Sequence, residues 1–176
     1  MMFLSGKHIY LRAMEPEDLN LLYKWENDTS IWRVSNTQAP FSKFVLEQFL
    51  ANQHNDIYTN KQLRLIACKH GSDDAVGAID LFDFEPFHQR AGVGILVDET
   101  FRNNGFATEV LRLITEYAFN TLLLKQLYCN VGTSNEPSIR LFEKNGFKKC
   151  GLKENWNRIA DGEFEDEWMM QLVKAS

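Results

Sequence analysis

The segment ILVDETFRNNGFATEVL, residues 95–111, runs from an apolar strand-like stretch through a polar turn into a helix-like stretch. The first N–H groups of a helix have no partner within the helix, and the dipole adds about half a positive charge there. Gly105 lets a ligand approach the backbone without a Cβ in the way, and Arg102 can donate paired hydrogen bonds to phosphate. The turn is therefore a candidate anion site, although an ordinary loop with a solvated arginine fits the same local features.

Other nucleotide and metal patterns do not fit the sequence. The glycines of GVG at 92–94 lie inside a strand-like run without the later glycine of a dinucleotide fingerprint, and no GK[ST] phosphate loop is present. Cys68, Cys129 and Cys150 are odd in number and far apart, so we expect small buried side chains and no disulfide framework. The four histidines show no metal-ligand spacing, and we predict no metal site.

Composition indicates one globular domain, residues 1–176, with 44% hydrophobic and 24% charged residues. The formal charge of -5 argues against non-specific attraction to nucleic acid or an anionic membrane. No apolar run approaches the ~20 residues of a membrane span, and the N-terminus lacks the pattern of a signal peptide. We therefore predict a cytoplasmic protein.

Hydrophobic periodicity and turn residues predict the elements that would hold this turn. The predicted strands are 7–14, 62–69, 75–84, 90–97, 126–131, 147–156 and 164–173, with a turn at Asp161-Gly162 before the last strand. The predicted helices are 15–28, 42–54, one that follows the polar turn to about Asn120, and 135–146. The order β-α-α-β-β-β-α-β-α-β-β describes an α/β sandwich around a mixed sheet.

Two motifs resemble those of the GNAT superfamily of acetyl-CoA-dependent N-acetyltransferases. R-x-x-G-x-A at 102–107 is similar to the motif that wraps the coenzyme pyrophosphate, and SNEPSIRLFEKNGF at 134–147 is similar to the second signature. LRAMEPEDL, HQRAGVGILV and FATEVLRLITEYAFNTLLLKQLY resemble the branch of ribosomal-protein N-terminal and bacterial spermidine acetyltransferases. The resemblance implies a GNAT-like sandwich with a mixed, mostly antiparallel sheet of about seven strands and about four helices.

The resemblance also implies which residues bind acetyl-CoA. The backbone of Ile95, Leu96 and Val97 would bind the pantetheine arm as a neighbouring strand would. The pyrophosphate would lie on Arg102, Asn103, Asn104, Gly105, Phe106, Ala107 and Thr108. A second coenzyme segment would include Asn135, Ser138, Phe142 and Lys144, although Asn135 is equally explained as a helix cap.

The catalytic positions depart from the family pattern. Phe142 stands where many relatives have a tyrosine that protonates the leaving sulfur, and Gly92 stands where they often have a glutamate. Two-residue periodicity places Asp80 and Asp83 on opposite faces of their strand. We expect Asp83 to bind the amine or act as a water-linked base, with a solvated surface aspartate as the alternative. Tyr128 is the candidate proton donor, with packing as its alternative.

These features together predict an N-acetyltransferase that moves an acetyl group from acetyl-CoA to a primary amine. The acceptor stays open between a polyamine or diamine, a small amine and a protein N-terminus. The segment RVSNTQAPF, after the first helix, has none of the acidic residues that spermidine acetyltransferases carry there. A non-catalytic acyl-CoA sensor or scaffold of the same fold remains the alternative function, and association into a homo-oligomer is possible.

Overall fold

The computed structural model describes residues 4–54 and 56–175, and seven strands in this part form one sheet. The strands are β1 (Ile9–Ala13), β2 (Leu63–Lys69), β3 (Ala75–Glu85), β4 (Arg90–Val97), β5 (Gln126–Gly132), β6 (Lys148–Ala160) and β7 (Glu163–Val173). Their order across the sheet is β1-β2-β3-β4-β5-β7-β6. Every neighbouring pair is antiparallel except β4 and β5, which are parallel. The predicted mixed, mostly antiparallel sheet of about seven strands is confirmed.

Six α-helices lie in the described residues: α1 (Leu19–Glu26), α2 (Thr29–Ser35), α3 (Lys43–Ala51), α4 (Ile57–Asn60), α5 (Phe106–Asn120) and α6 (Glu136–Lys144). The four predicted helices correspond to α1, α3, α5 and α6, while α2 and α4 were not predicted. The side chain of Asp28 accepts a hydrogen bond from the N–H of Ser30, so this residue caps α2 instead of ending α1.

The sheet separates two hydrophobic clusters. The larger one lies between the sheet and the pair α5 and α6, and includes Ile79 and Leu81 of β3 with Leu111 of α5. The smaller one lies between the opposite face of the sheet and α1 and α3, and includes Ala78 of β3 and Trp25. Alternate residues of β3 therefore enter different clusters, as expected for a strand covered on both faces.

The sheet splits between β4 and β5. These strands pair only through residues 90–92 and 126–128, ending at Gly92 opposite Tyr128. Beyond that pair, β4 stays bonded to β3 as far as Val97, and β5 stays bonded to β7 as far as Gly132. We call the space between the unpaired parts of β4 and β5 the gap. In the part of the chain that the structure describes, backbone groups on both of its edges lack a strand partner.

The prediction that the cysteines are buried is confirmed for two of the three. Cys68 and Cys129 are buried as predicted, whereas Cys150 is exposed, because β6 is the edge strand and most of its side chains face solvent. Within residues 4–54 and 56–175, no helix is both long and apolar enough to cross a membrane.

Candidate active site

The segment that joins β4 to α5 is anchored by Asp98. This buried carboxylate accepts hydrogen bonds from Lys24 Nζ (2.7 Å), from Trp25 Nε1 (2.8 Å), and from the N–H and hydroxyl of Thr100. Burial alone would raise the pKa of Asp98, but these hydrogen bonds outweigh burial and hold the pKa well below its usual range. The start of the turn is therefore fixed to α1.

The turn itself is exposed, and its backbone is free to bind. Asn103 and Gly105 have positive φ values of 64° and 77°, and a Cβ built on Gly105 would meet no atom within 4 Å. In the described part of the chain, no acceptor is found for the N–H groups of residues 103–105. Exposed N–H groups without an acceptor, directly before the start of a helix, are the arrangement that binds an anion.

Arg102 lies beside this turn, and one nitrogen of its guanidinium already makes a hydrogen bond. Its Nε donates to the carbonyl of Val97 at 3.2 Å. The side chain also lines a cavity of about 80 Å³ together with Leu96, Val97 and Ile31 of α2. Among the described residues no acceptor is found for the terminal N–H groups of Arg102, so they are available to an anion.

The predicted pantetheine segment lies along the gap. Ile95, Leu96 and Val97 are half-buried and follow the last residue of β4 that pairs with β5. A strand edge without a partner presents N–H and C=O groups that can bind an extended ligand as a neighbouring strand would. Ile95, Leu96 and Val97 lie on this edge, and their binding of a pantetheine arm stays a prediction.

The predicted residues of α6 divide into capping, packing and exposed positions. Asn135 is the helix cap, because its side chain accepts from the N–H of Ser138 at 3.3 Å. The ring of Phe142 is only 3% exposed and packs edge-to-face against Phe147, with ring centroids 5.0 Å apart. Lys144 is exposed in the last turn. The roles of these residues in coenzyme binding stay predictions.

Asp83 and Tyr128 come together at the closed end of the gap. The hydroxyl of Tyr128 donates to Asp83 Oδ2 at 3.1 Å. Asp83 has a φ of 47° and lies at an irregularity in the pairing of β3 with β4. After this residue the alternation shifts by one position, since Phe84 joins Ile79 in the main core. The predicted separation of Asp80 and Asp83 onto opposite faces is therefore wrong.

The two aspartates on β3 differ in their partners. Asp80 is held by Arg64, with Nε to Oδ1 at 2.7 Å, and the same guanidinium binds Glu26 of α1. For Asp83, by contrast, no cationic side chain lies within salt-bridge distance among the residues described. Asp83 is thus the carboxylate with room for an external cation.

Tyr128 is a phenol at neutral pH. Burial, followed by the charge of Asp83 and the hydrogen bond to it, raises the pKa of Tyr128 to about 12. The hydroxyl therefore stays protonated and directs its hydrogen toward Asp83.

The ring of Phe82 explains why glycine stands at position 92. A Cβ built on Gly92 would lie 2.2 Å from the nearest ring carbon of Phe82. The same ring meets Tyr128 edge-to-face, with centroids 6.0 Å apart. No side chain fits at Gly92 unless Phe82 moves, so the ring of Phe82 fills the space where the resemblance led us to look for a glutamate.

Sequence reasoning missed one ion pair at the open end of the gap. Arg33 of α2 binds Glu165 of β7 at 3.0 Å, and the N–H and hydroxyl of Ser134 also donate to Glu165. Burial would raise the pKa of Glu165, but the bonds from Ser134 and Arg33 lower it. The three consecutive acidic residues in FEDE were the signal available, although no sequence pattern could connect them with the distant Arg33. Among the residues described, no cluster of three or more potential ligands could hold a metal ion.

Comparison with known proteins identifies relatives of this arrangement. A family described as "Acetyltransferase (GNAT) domain" matches residues 8–148. The chain is 29% identical to spermidine N(1)-acetyltransferase of Escherichia coli over 147 residues, 84% of this chain and 76% of that protein. It is 33% identical to an uncharacterized N-acetyltransferase of Bacillus subtilis over 152 residues, 85% of this chain and 84% of that protein. The structure of spermidine N-acetyltransferase from Vibrio cholerae with CoA and spermine matches with a TM-score of 0.83, 24% identity, and coverage of 94% and 95% of the two chains, which supports the fold.

Proposed function

Because this chain belongs to the GNAT family of acetyltransferases, we propose that it transfers the acetyl group of acetyl-CoA to a primary amine, which attacks the thioester directly. One observation carries the proposal. At the open end of the gap, an exposed turn that can bind an anion follows β4. At the closed end lies Asp83, for which no cationic partner is found among the described residues. The gap therefore carries groups complementary to the negatively charged acetyl-CoA and to a positively charged amine.

The residues present fit acetyl-CoA as the donor. We propose that the backbone of residues 95–97 binds the pantetheine arm and that residues 102–108 bind the pyrophosphate. Support comes from the unpaired edge of β4, from the exposed turn, whose N–H groups have no acceptor among the described residues, and from the adjacent guanidinium of Arg102. The thioester end would then extend along the gap toward Tyr128.

We propose that Asp83 receives the acceptor amine. An alkylammonium ion at this carboxylate is stabilised by charge until it loses a proton to water, and the neutral amine can then attack the carbonyl carbon. The new C–N bond forms as the C–S bond breaks, and the amine gives up its remaining extra proton through water. Tyr128 acts through Asp83, because its hydroxyl fixes the orientation of the carboxylate.

The pKa of Tyr128 bears on how the sulfur leaves. A phenol with a pKa of about 12 is a weaker acid than a thiol with a pKa near 8.5, so Tyr128 does not protonate the thiolate favourably. Departure as the thiolate costs only about 2 kcal/mol relative to the thiol at pH 7. We therefore propose that the sulfur leaves as a thiolate and takes its proton from water, which suits a site with Phe142 at the usual tyrosine position.

The release of free thiol from acetyl-CoA with a panel of amines tests this function. Asp83→Asn should raise the amine KM or lower kcat about fivefold to tenfold, because a charge-assisted contact is lost at a partly solvated site. The affinity for acetyl-CoA should stay nearly unchanged. Asp161→Asn, on the exposed turn between β6 and β7, is the matched control.

Two outcomes would contradict the proposal. A rate for Asp83→Asn equal to that of the unmodified protein across pH 6 to 9 would assign this carboxylate to the surface. Tight acetyl-CoA binding without thiol release for any amine would favour the non-catalytic sensor or scaffold.

We also propose that copies of the chain associate. β6 is the last strand of the sheet, and Leu152 and Trp156 on it are exposed. An exposed edge strand with apolar side chains favours pairing with another strand. Light scattering at several protein concentrations tests this proposal, and a monomer at every concentration would contradict it.

A further inference from the structure

Helix α2 crosses the open end of the gap. On one side, Ile31 lines the same small cavity as Leu96 and Val97 of β4. On the other side, Arg33 reaches Glu165 of β7, beyond the end of β5. Because β4 and β5 do not pair in this region, α2 is the segment that connects their two sides across the α1 face of the sheet.

In the ion pair that holds α2 in place, the carboxylate is held more firmly than the guanidinium. Glu165 is fixed: its side chain is 11% exposed, it accepts two hydrogen bonds from Ser134, and it occupies space that a Cβ at Gly132 would fill at 2.8 Å. The side chain of Arg33 is 47% exposed and comes from a helix of seven residues. The carboxylate is therefore a preformed acceptor for a cation, and its present cation is replaceable.

The cation at Glu165 is easier to replace than the cation at Glu167, the next carboxylate on the same face of β7. Glu167 is buried and held by Lys153 and Asn157, both from the neighbouring strand β6. Exchange at Glu167 would disrupt the sheet edge. Exchange at Glu165 would displace the exposed side chain of Arg33, which gives up the ion pair and its hydrogen bond to Ser134 Oγ (3.1 Å). An incoming cation would therefore bind at Glu165.

Glu165 and the pair of Asp83 with Tyr128 share one face of the sheet. Residues Tyr128 and Gly132 alternate onto the same side of β5, and the space over Gly132 is occupied by the Glu165 carboxylate. Four residue steps along β5 separate these positions by about 13 Å. A linear amine several methylene groups long can span this distance with one amino group at each end.

We propose that Glu165 binds the second cationic group of a linear diamine or polyamine acceptor and that Arg33 occupies this carboxylate when no acceptor is bound. The distal ammonium ion replaces the guanidinium, so that one cation leaves Glu165 as another arrives and no unpaired buried charge remains. Release of Arg33 frees α2 from β7 and opens the end of the gap. The inference rests on the proposed amine acetylation and narrows its acceptor to molecules with two separated cationic groups.

A pair of acceptors of equal length tests this inference: 1,8-diaminooctane, which carries the second amine, and octylamine, which lacks it. The measured quantity is the ratio of kcat/KM for the diamine to kcat/KM for the monoamine. Glu165→Gln should lower this ratio about fivefold to tenfold, the loss expected for one charge-assisted contact that is partly screened. Arg33→Gln should raise it, through a lower KM for the diamine. Glu163→Gln, an exposed charge change on the same strand, should leave the ratio unaltered.

The outcomes distinguish failure of the Glu165 inference from failure of the proposed acetyl transfer. A ratio that does not fall in Glu165→Gln, or a diamine KM that does not fall in Arg33→Gln, would overturn the inference. Absence of thiol release from the unmodified protein with either amine or any other would instead refute the acetyl transfer on which the inference rests. The opposite signs expected for the two variants keep the test decisive even if one variant is less stable.

Discussion

Replacing Gly92 with alanine places a methyl group where the ring of Phe82 now lies. Three ring carbons would be 2.2, 2.4 and 2.7 Å from the new Cβ, all inside the closest approach of real Cβ atoms. The ring must therefore turn away from Tyr128 or the strand must shift. Overpacking of this kind costs about 1–3 kcal/mol of the free energy of unfolding.

Gly94 supplies the matched control, two residues further along β4. A Cβ there would lie 3.7 Å from the ring of Phe82, which is ordinary van der Waals contact. Gly94→Ala should be neutral or stabilising by about 0.5 kcal/mol, because alanine reduces the conformational entropy of the unfolded chain. The position of this ring thus predicts a loss of stability for alanine at residue 92 and no loss for alanine at residue 94.

Urea denaturation of five proteins measures this difference: the unmodified chain, Gly92→Ala, Gly94→Ala, Phe82→Ala, and the double variant of Phe82 and Gly92. Removing the ring should cancel the penalty at Gly92, giving a coupling energy of about 1–2 kcal/mol with unchanged m-values. Additive effects in the double variant, or equal stabilities of Gly92→Ala and Gly94→Ala, would refute the explanation of this glycine.

Two further predictions concern the turn. Arg102→Ala should weaken acetyl-CoA binding about tenfold by calorimetry, since a charge-assisted contact to phosphate contributes about 1.5–3 kcal/mol, and unchanged affinity would remove Arg102 from the coenzyme site. Asp98→Ala should lower the free energy of unfolding at pH 7 by about 2–3 kcal/mol, because Lys24 and Trp25 lose their acceptor. The pKa of Asp98 is depressed in the folded state, so this contribution is present above the unfolded value near 3.9 and is lost as pH falls through the folded value. A stability difference that persists undiminished in strong acid would contradict that assignment.

Features with strong local signals could be predicted from the sequence. β4 has its expected bounds, 90–97, and α5 carries the apolar stripe of Val110, Leu111 and Ile114 that its spacing indicated. The break between strand and helix lies at the polar turn around Gly105, as the sequence indicated. Each of these depends on neighbours in the chain, which a sequence displays directly.

The missed features depend on tertiary contacts or on competition between local signals. The irregularity at Asp83 arises where β3 pairs with β4, so period-two alternation alone could not locate it. The contact of Asp83 with Tyr128 joins β3 to β5 across β4, so no local pattern displays it. Helix α2 was missed because Asp28 resembled the last residue of one helix while it caps the next.

The split between β4 and β5 has a consequence for how long the protein survives in a cell. Only three residue positions on each strand connect the sheet there, so the two halves are coupled weakly through their backbone. Acetyl-CoA bound along this edge would supply contacts to the folded chain that the unfolded chain cannot make. At a concentration 100 times its Kd, such a ligand adds about 2.7 kcal/mol to the apparent free energy of unfolding. Variants with modest defects would then accumulate in cells rich in acetyl-CoA and be degraded in starved ones.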